Sequence, residues 1–257
     1  MQPLEITVQA AGTEEELCSN IRAALARGLP ELTLAPIKHD GNIVLVASGW
    51  SMPDYIDEIK AHRQAGRPIV AIKAAHDFLV EHGVSPDMWV ALDPRDRTSG
   101  IQRLNDHTVY MPSSRCSPST FDHLKGRKIL LWHSWAEGPE MVAIGPGKLA
   151  IGGGTTSGLR AINIGYCLGF RNFIMYGYDS CNRADGVKRF TGETTGPSID
   201  VWVGGPTGKK FNCNMAMAQQ ANEFQKLFEV MGDITLDVKG PGLIAEIMRV
   251  RYERMAA

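Results

Sequence analysis

Short apolar runs recur along the chain, separated by segments whose apolar positions follow a helical period. This alternation predicts parallel strands joined by right-handed helical crossovers. The first strong strand is Ile43-Val-Leu-Val-Ala47, followed by the turn Ser48 to Pro53 and a helix carrying Tyr55, Ile56 and Ile59 on one face. Further strands are predicted at Pro68 to Ile72, Asp87 to Leu92, Thr108 to Met111, Lys128 to Trp132, Lys148 to Ile151, Asn172 to Tyr176 and Asp233 to Val238. Helices are predicted at Thr13 to Arg27, near His76 to His82, at Ser117 to Lys125, across Leu159 to Leu168, at Asn214 to Val230 and at Leu243 to Arg251. The resulting fold class is α/β: a Rossmann-like, mostly parallel sheet flanked by helices. One nucleotide-binding domain is expected over residues 1–257, with residues 1–40 as a helical extension packed on the sheet. Residues 180–210 are rich in Gly, Thr, Asn, Asp and Lys and predict a long loop or flap, a feature that is usually functional.

The run Ile151-Gly-Gly-Gly-Thr-Thr-Ser-Gly-Leu-Arg160 joins a strand to a helix. Gly152, Gly153 and Gly154 permit positive φ and a close approach of amides to a ligand. Thr155, Thr156 and Ser157 supply hydroxyls and N-cap chemistry. A helix start of this kind binds anions, phosphate above all. The plainer reading is a tight turn that binds nothing.

Composition narrows the classes. Apolar residues make up 44% and charged residues 21% of 257, and the formal charge is −1, so no global attraction to nucleic acid or anionic lipid is expected. Five scattered cysteines (Cys18, Cys116, Cys167, Cys181, Cys213) form no C-x-x-C pair, which argues against a zinc site or disulfide framework and for a reducing, cytoplasmic setting. No apolar run is long enough to span a membrane, and no signal pattern opens the chain.

In open parallel sheets, ligands bind beyond the carboxyl ends of the strands. Residues expected there are Ser48, Gly49 and Ser51, Lys73, Asp93, Ser113 and Ser114, His133, Gly152 to Ser157, and Asp179. Asp93 or Asp179 would hold a ribose hydroxyl, bind Mg²⁺, act as a base, or merely cap a helix. Lys73 would offset phosphate charge or snorkel from the sheet. His133, between Trp132 and Trp135, reads first as a structural imidazole and second as a catalytic one. Arg183, Lys188, Arg189, Lys209 and Lys210 make the flap basic, suiting either a solvated loop or closure over an anionic substrate. Leu159 stands where a P-loop lysine must be, the glycines miss the dinucleotide spacing by one residue, and no G-x-S-x-G elbow is present. These disfavour a Walker-type NTPase, a nicotinamide oxidoreductase and an α/β-hydrolase.

The order of the pieces resembles a known family. Ile43 to Met52 looks like the strand and turn of hydroxymethylpterin diphosphokinase-like proteins, common in phage and prophage genomes. Ala71 to Leu79, Gly83 to Asp87 and Asp93-Pro94 are similar to its second block, and Gly152 to Ser157, Leu168 to Phe170 and Tyr176 to Asp179 to its third. Phe211 to Phe224 and Gly240 to Ile244 are similar to its last part, so the resemblance spans about 42–248. The family is similar in layout to bacterial sialyltransferases that use a CMP-linked sugar. That resemblance implies a nucleotide held by Gly49, Ser51, Asp93 and Gly153 to Ser157, with Tyr176 and Tyr178 near the leaving phosphate. Ser48 and Trp50 replace the Asn and Pro of the sialyltransferase turn, and no histidine follows Asp179. Another base is then needed, from Asp93, His133 or Asp185.

The leading expectation is a transferase using a nucleotide or nucleotide sugar as donor, a glycosyltransferase of sialyltransferase-like layout. The alternatives are a Mg²⁺-dependent diphosphokinase acting on a hydroxymethyl group, with Asp93 and Asp179 as metal ligands, and a nucleotide-binding phage accessory protein without catalysis. The partner expected is a small-molecule donor and not a membrane. A modified DNA acceptor draws no support from the charge, and Trp202 fits either an acceptor site or a homo-oligomer interface.

Overall fold

The computed structural model describes residues 11–205 and 208–256. The first ten residues of the expected extension and positions 206–207 of the expected flap lie outside them. The elements run α1 (Glu14–Leu25), β1 (His39–Val46), α2 (Ile56–Gln64), β2 (Ile69–Ile72), α3 (Ala75–Glu81), β3 (Met88–Ala91), β4 (Val109–Pro112), α4 (Pro118–His123), β5 (Lys128–Ile129), β6 (His133–Ser134) and α5 (Pro139–Ile144). They continue with β7 (Ala150–Ile151), α6 (Ser157–Cys167), β8 (Phe170–Tyr176), β9 (Ile199–Val203), β10 (Lys209–Cys213), α7 (Met215–Val230), β11 (Thr235–Val238) and α8 (Leu243–Ala256).

Seven strands form one parallel sheet in the order β11-β8-β1-β2-β3-β4-β5. The fold is therefore α/β and Rossmann-like, as the alternation predicts. Both faces of the sheet are covered, so its central strands are apolar throughout rather than alternating with polar residues. Ile43, Leu45, Val70, Ile72, Val90, Phe173 and Met175 face one core with residues of α6, α7 and α8. Val44, Val46, Ile69, Ala71, Trp89, Tyr110 and Tyr176 face the other with Ala24, Ile59, Leu79 and Phe121. Helix α1 starts at a capping box: the Thr13 hydroxyl accepts from the Glu16 amide, and the Glu16 carboxylate accepts from the Thr13 amide. It packs mainly on α4 and α5 rather than directly on the sheet.

Two expectations change in detail. The strand expected over Lys128 to Trp132 pairs with β4 only at Lys128 and Ile129. Beyond that the chain leaves the sheet edge, Leu131 and Trp132 bridge to Glu31 and Ser113, and β6 pairs with β7 in a small ribbon. The segment 180–210 is not simply a loop. Ile199, Val201 and Val203 alternate with Asp200 and Trp202, the two-residue period of a strand, and β9 pairs antiparallel with β10. No helix among the described residues is long and apolar enough to cross a membrane.

The order of the strands creates the site. From β1 the chain adds strands toward β5 on one side, and β8 and β11 on the other. The crossovers diverge at the β1–β8 boundary, which leaves a crevice at the carboxyl ends of that pair.

Candidate functional site

The loops after β1 and β8 are fused by close backbone packing. The Gly49 amide donates to the Gly177 carbonyl at 2.9 Å, and a Cβ at Gly49 would lie 2.3 Å from both that oxygen and Asp179 Oδ2. Only glycine fits there. The buried Asp179 carboxylate completes the junction, accepting from the Ser51 amide (3.0 Å) and the Ser51 hydroxyl (2.6 Å). Burial disfavours its ionised form more than these two bonds favour it, so the Asp179 carboxyl titrates above the ordinary aspartate range.

A cavity of about 700 Å³ opens over this junction. Its walls include Ser48, Gly49, Lys73, Asp93, Thr155, Thr156, Ser157 and Asp179, which the strand-end rule assigned to a site, and Tyr178, which the sialyltransferase resemblance placed there. They also carry six cationic side chains, Lys73, Arg95, Arg115, Arg160, Lys188 and Arg189, against four carboxylates, Asp93, Glu137, Glu140 and Asp179. The excess positive charge suits an anionic ligand.

Asp93 differs sharply from Asp179. Burial alone would raise its pKa, but the forked hydrogen bonds from Arg95 (2.8 and 2.9 Å) and the charge of Lys73 (3.3 Å) hold it far below the usual range. Arg97 adds a further contact at 3.3 Å. A carboxylate surrounded by three cations is a poor proton acceptor; its role here is to orient them. Burial also lowers the Lys73 pKa, against the opposing charge of Asp93. Lys73 and Ser180 are the only non-glycine residues of positive φ among the described residues (52° and 47°), and both line this cavity. Such backbone is held only where its surroundings fix it, commonly at functional sites. Lys73 is fixed by the Trp89 indole N–H on its carbonyl (3.0 Å) and by its own amide on the Val90 carbonyl (3.1 Å).

Helix α6 points its N-terminus into the cavity. Thr156 caps it, accepting from the Leu159 amide, and the Tyr178 hydroxyl donates to the Gly158 carbonyl at 3.0 Å. Burial raises the Tyr178 pKa, so that proton stays in place. The buried Ser157 hydroxyl and Arg160 Nε have no hydrogen-bond partner within the protein, and both residues line the cavity. Unpaired buried polar groups are costly, which makes these two atoms candidates for partners to a ligand.

Other expected residues lie elsewhere. Gly153 and Gly154 do not line the cavity. Their missing side chains make room for Asn163 and Leu227, and for Leu159 and Glu223. The close approach these glycines permit is to α6 and α7, and the Glu223 carboxylate takes the Thr155 amide and hydroxyl at 2.9 Å each. Ser51 is buried behind Asp179. Ser113 is buried beneath Arg115, whose amide donates to its hydroxyl oxygen at 3.3 Å. His133 is buried between Ser114 (3.0 Å) and Glu31 (3.1 Å), off the cavity, and burial lowers its pKa. Ser114, His133 and Glu31 form a hydrogen-bonded chain, but the serine is fully buried and faces no substrate space. Tyr176 is on the opposite sheet face, bonded to Glu58 (3.0 Å) and His62 (2.9 Å). Asp185 is exposed and paired with Arg183.

The sequence pattern did not point to Arg95, Arg115, Arg160, Trp135 or the α7 residues Gln219 and Gln220. Arg95 and Arg115 come after strand ends already singled out and were within reach of the same rule. Arg160 lies on the buried face of α6 among apolar residues, and the α7 wall enters from a remote part of the chain, which no local pattern announces.

The assembly is thus a Rossmann-like sheet with a cationic cavity at its switch point. The model of the 6-hydroxymethylpterin diphosphokinase MptE-like family matches residues 15–185, so the chain belongs to that family. Among solved structures, the MAf glycosyltransferase from Magnetospirillum magneticum AMB-1 is similar, with a TM-score of 0.66 and 15% identity over 93% of this chain and 42% of that one. The chain thus spans less than half the length of that protein, and the likeness is one of fold. No curated protein matches the chain.

Proposed function

We propose that the chain is a transferase that takes its group from a nucleotide-activated donor, and specifically a glycosyltransferase. The observation that carries this reading is the cavity at the switch point, where the unpartnered Ser157 hydroxyl and Arg160 Nε in the first turn of α6 meet an excess of cations. The donor phosphate sits against the start of α6, with Lys73 and Arg95 held by Asp93 to balance its charge. An acceptor hydroxyl attacks the sugar carbon, its proton passes to Asp179, and the carbon–oxygen bond to phosphate breaks with its electrons on the phosphate. Asp179 suits the base role because burial raises its pKa, and with it the proton affinity of its carboxylate, above that of an ordinary aspartate. The sialyltransferase-like layout and a CMP-linked donor belong to the same proposal.

The Mg²⁺-dependent diphosphokinase reading asks more of these side chains. Asp93 is saturated by Arg95, Lys73 and Arg97, and Asp179 is bound to Ser51 and disfavours ionisation. No group of three acidic, histidine or cysteine residues suited to a metal occurs among the described residues. The residues therefore do not fit a Mg²⁺ site. A nucleotide-binding protein without catalysis would share the cavity but gives no reason for the opposed pKa values of its two aspartates.

Isothermal titration with nucleotides and nucleotide sugars tests the reading. Binding that survives EDTA and is lost in Ser157→Ala/Arg160→Ala is expected. Failure of every member to bind would contradict it.

A further inference from the structure

We infer that Trp135 is the platform on which the planar ring of the ligand stacks, with the phosphate anchored at Ser157 on the wall of the same cavity. This inference rests on the nucleotide-donor reading and names the subsite that would recognise the base. Trp135 lines the main cavity, yet half of its surface is exposed (50%). Trp89 and Trp132, by contrast, are buried in the cores, with their indole N–H groups bonded to carbonyls.

The backbone beneath the ring is pinned. The Trp135 amide donates to the Ile151 carbonyl at 2.8 Å, and its carbonyl accepts from Arg160 (3.3 Å). The same guanidinium donates to the Ile151 carbonyl, so one buried cation clamps both the Trp135 loop and the strand leading to the glycine-rich turn. Arg160 is three residues after Ser157 on α6, hence on the same helix face. The backbone that carries the ring and the helix turn that carries the anion site are therefore tied together by a single side chain. Rigid placement matters, because an aromatic platform adds affinity only when little freedom is lost on binding.

The rim beside the ring adds a polar reader. Glu137 is exposed at the cavity wall and forms no ion pair among the described residues. A carboxylate there accepts hydrogen bonds from ring amines or sugar hydroxyls. A flat ring carrying such donors, joined to a phosphate, is the chemistry of a nucleoside phosphate. Trp135 touches no reacting atom in this scheme; it positions and selects.

The test uses the full chain and two kinds of probe: the four nucleoside monophosphates and inorganic pyrophosphate. Titration calorimetry on wild type, Trp135→Ala and Trp135→Phe separates the ring subsite from the anion subsite. Wild type should bind at least one nucleotide more tightly than pyrophosphate. Trp135→Ala should weaken that nucleotide about tenfold or more while changing pyrophosphate by less than about twofold, and Trp135→Phe should restore most of the loss. Trp135→Ala that binds the nucleotide as wild type does would overturn the inference. So would wild type that binds pyrophosphate but no nucleotide, a result that leaves the anion site intact. Wild type that binds neither overturns the donor reading as well.

Discussion

Asp93 and Asp179 occupy equivalent places, each just beyond a strand of the same parallel sheet and each on the wall of the same cavity, yet the protein treats them oppositely. Asp93 collects Lys73, Arg95 and Arg97 and is held ionised; Asp179 receives only a serine and is pushed toward its protonated form. The difference lies in the loop at the end of each strand. Arg95 and Arg97 come from the chain directly after β3, whereas the β8 loop is pressed glycine to glycine against the β1 loop, where the Asp179 carboxylate meets the Ser51 amide and hydroxyl. Titratable groups pushed apart in one pocket commonly divide the labour of charge placement and proton transfer.

The largest effect that would sharpen this contrast is on turnover. Asp179→Asn should lower kcat/KM by about 10²- to 10⁴-fold, while Asp93→Asn lowers it less and acts chiefly through donor affinity. Equal losses in kcat for the two variants would break the contrast. Wild-type kcat/KM should also rise with pH through a value above the ordinary aspartate pKa, as the base form of Asp179 accumulates.

Stability gives the next effect. Asp93 has a depressed folded pKa, so its contribution is present above its unfolded value of about 3.9 and lost as pH falls toward the folded value. Asp93→Asn should therefore cost about 2 kcal/mol at neutral pH and flatten the acid limb of a denaturation series. Asp179 has a raised folded pKa, so its contribution is complete below about pH 3.9 and is lost as pH rises through the raised value. Asp179→Asn should remove that decline. Urea titrations at several pH values would show the two limbs separately.

Smaller still is the strain at Lys73. Lys73→Gly should keep or raise stability, by up to about 1 kcal/mol, because glycine accepts a φ of 52° without penalty. The same change should weaken pyrophosphate binding measured by calorimetry. A variant that loses stability and keeps its affinity would show the left-handed turn to be merely structural.

Much of the architecture was legible in the residues. Uninterrupted apolar runs such as Ile43 to Ala47, with helical periods between them, specified a covered parallel sheet, and the strand-end rule placed Ser48, Lys73, Asp93 and Asp179 at one cavity. Local inference about contact was less successful. The glycines of the 152–154 turn do provide close approach, but toward Asn163, Leu227 and Glu223 of neighbouring helices, and a local pattern does not say what approaches. His133 and Tyr176 sit at or near strand ends, where alternate side chains turn to opposite faces, and small register differences carried them away from the site. Arg160 was hidden for a different reason. A buried guanidinium whose partners are the carbonyls of Ile151 and Trp135 depends on chain segments that come together only in the fold.

The most direct measurement is the titration of the two carboxyls by NMR, with aspartate ¹³C-labelled at the side chain and signals assigned through Asp93→Asn and Asp179→Asn. Asp93 should titrate well below about 3.9 and Asp179 above it, with no ligand required. Two carboxyls titrating together near the ordinary value, or in the reverse order, would contradict the division of roles between them.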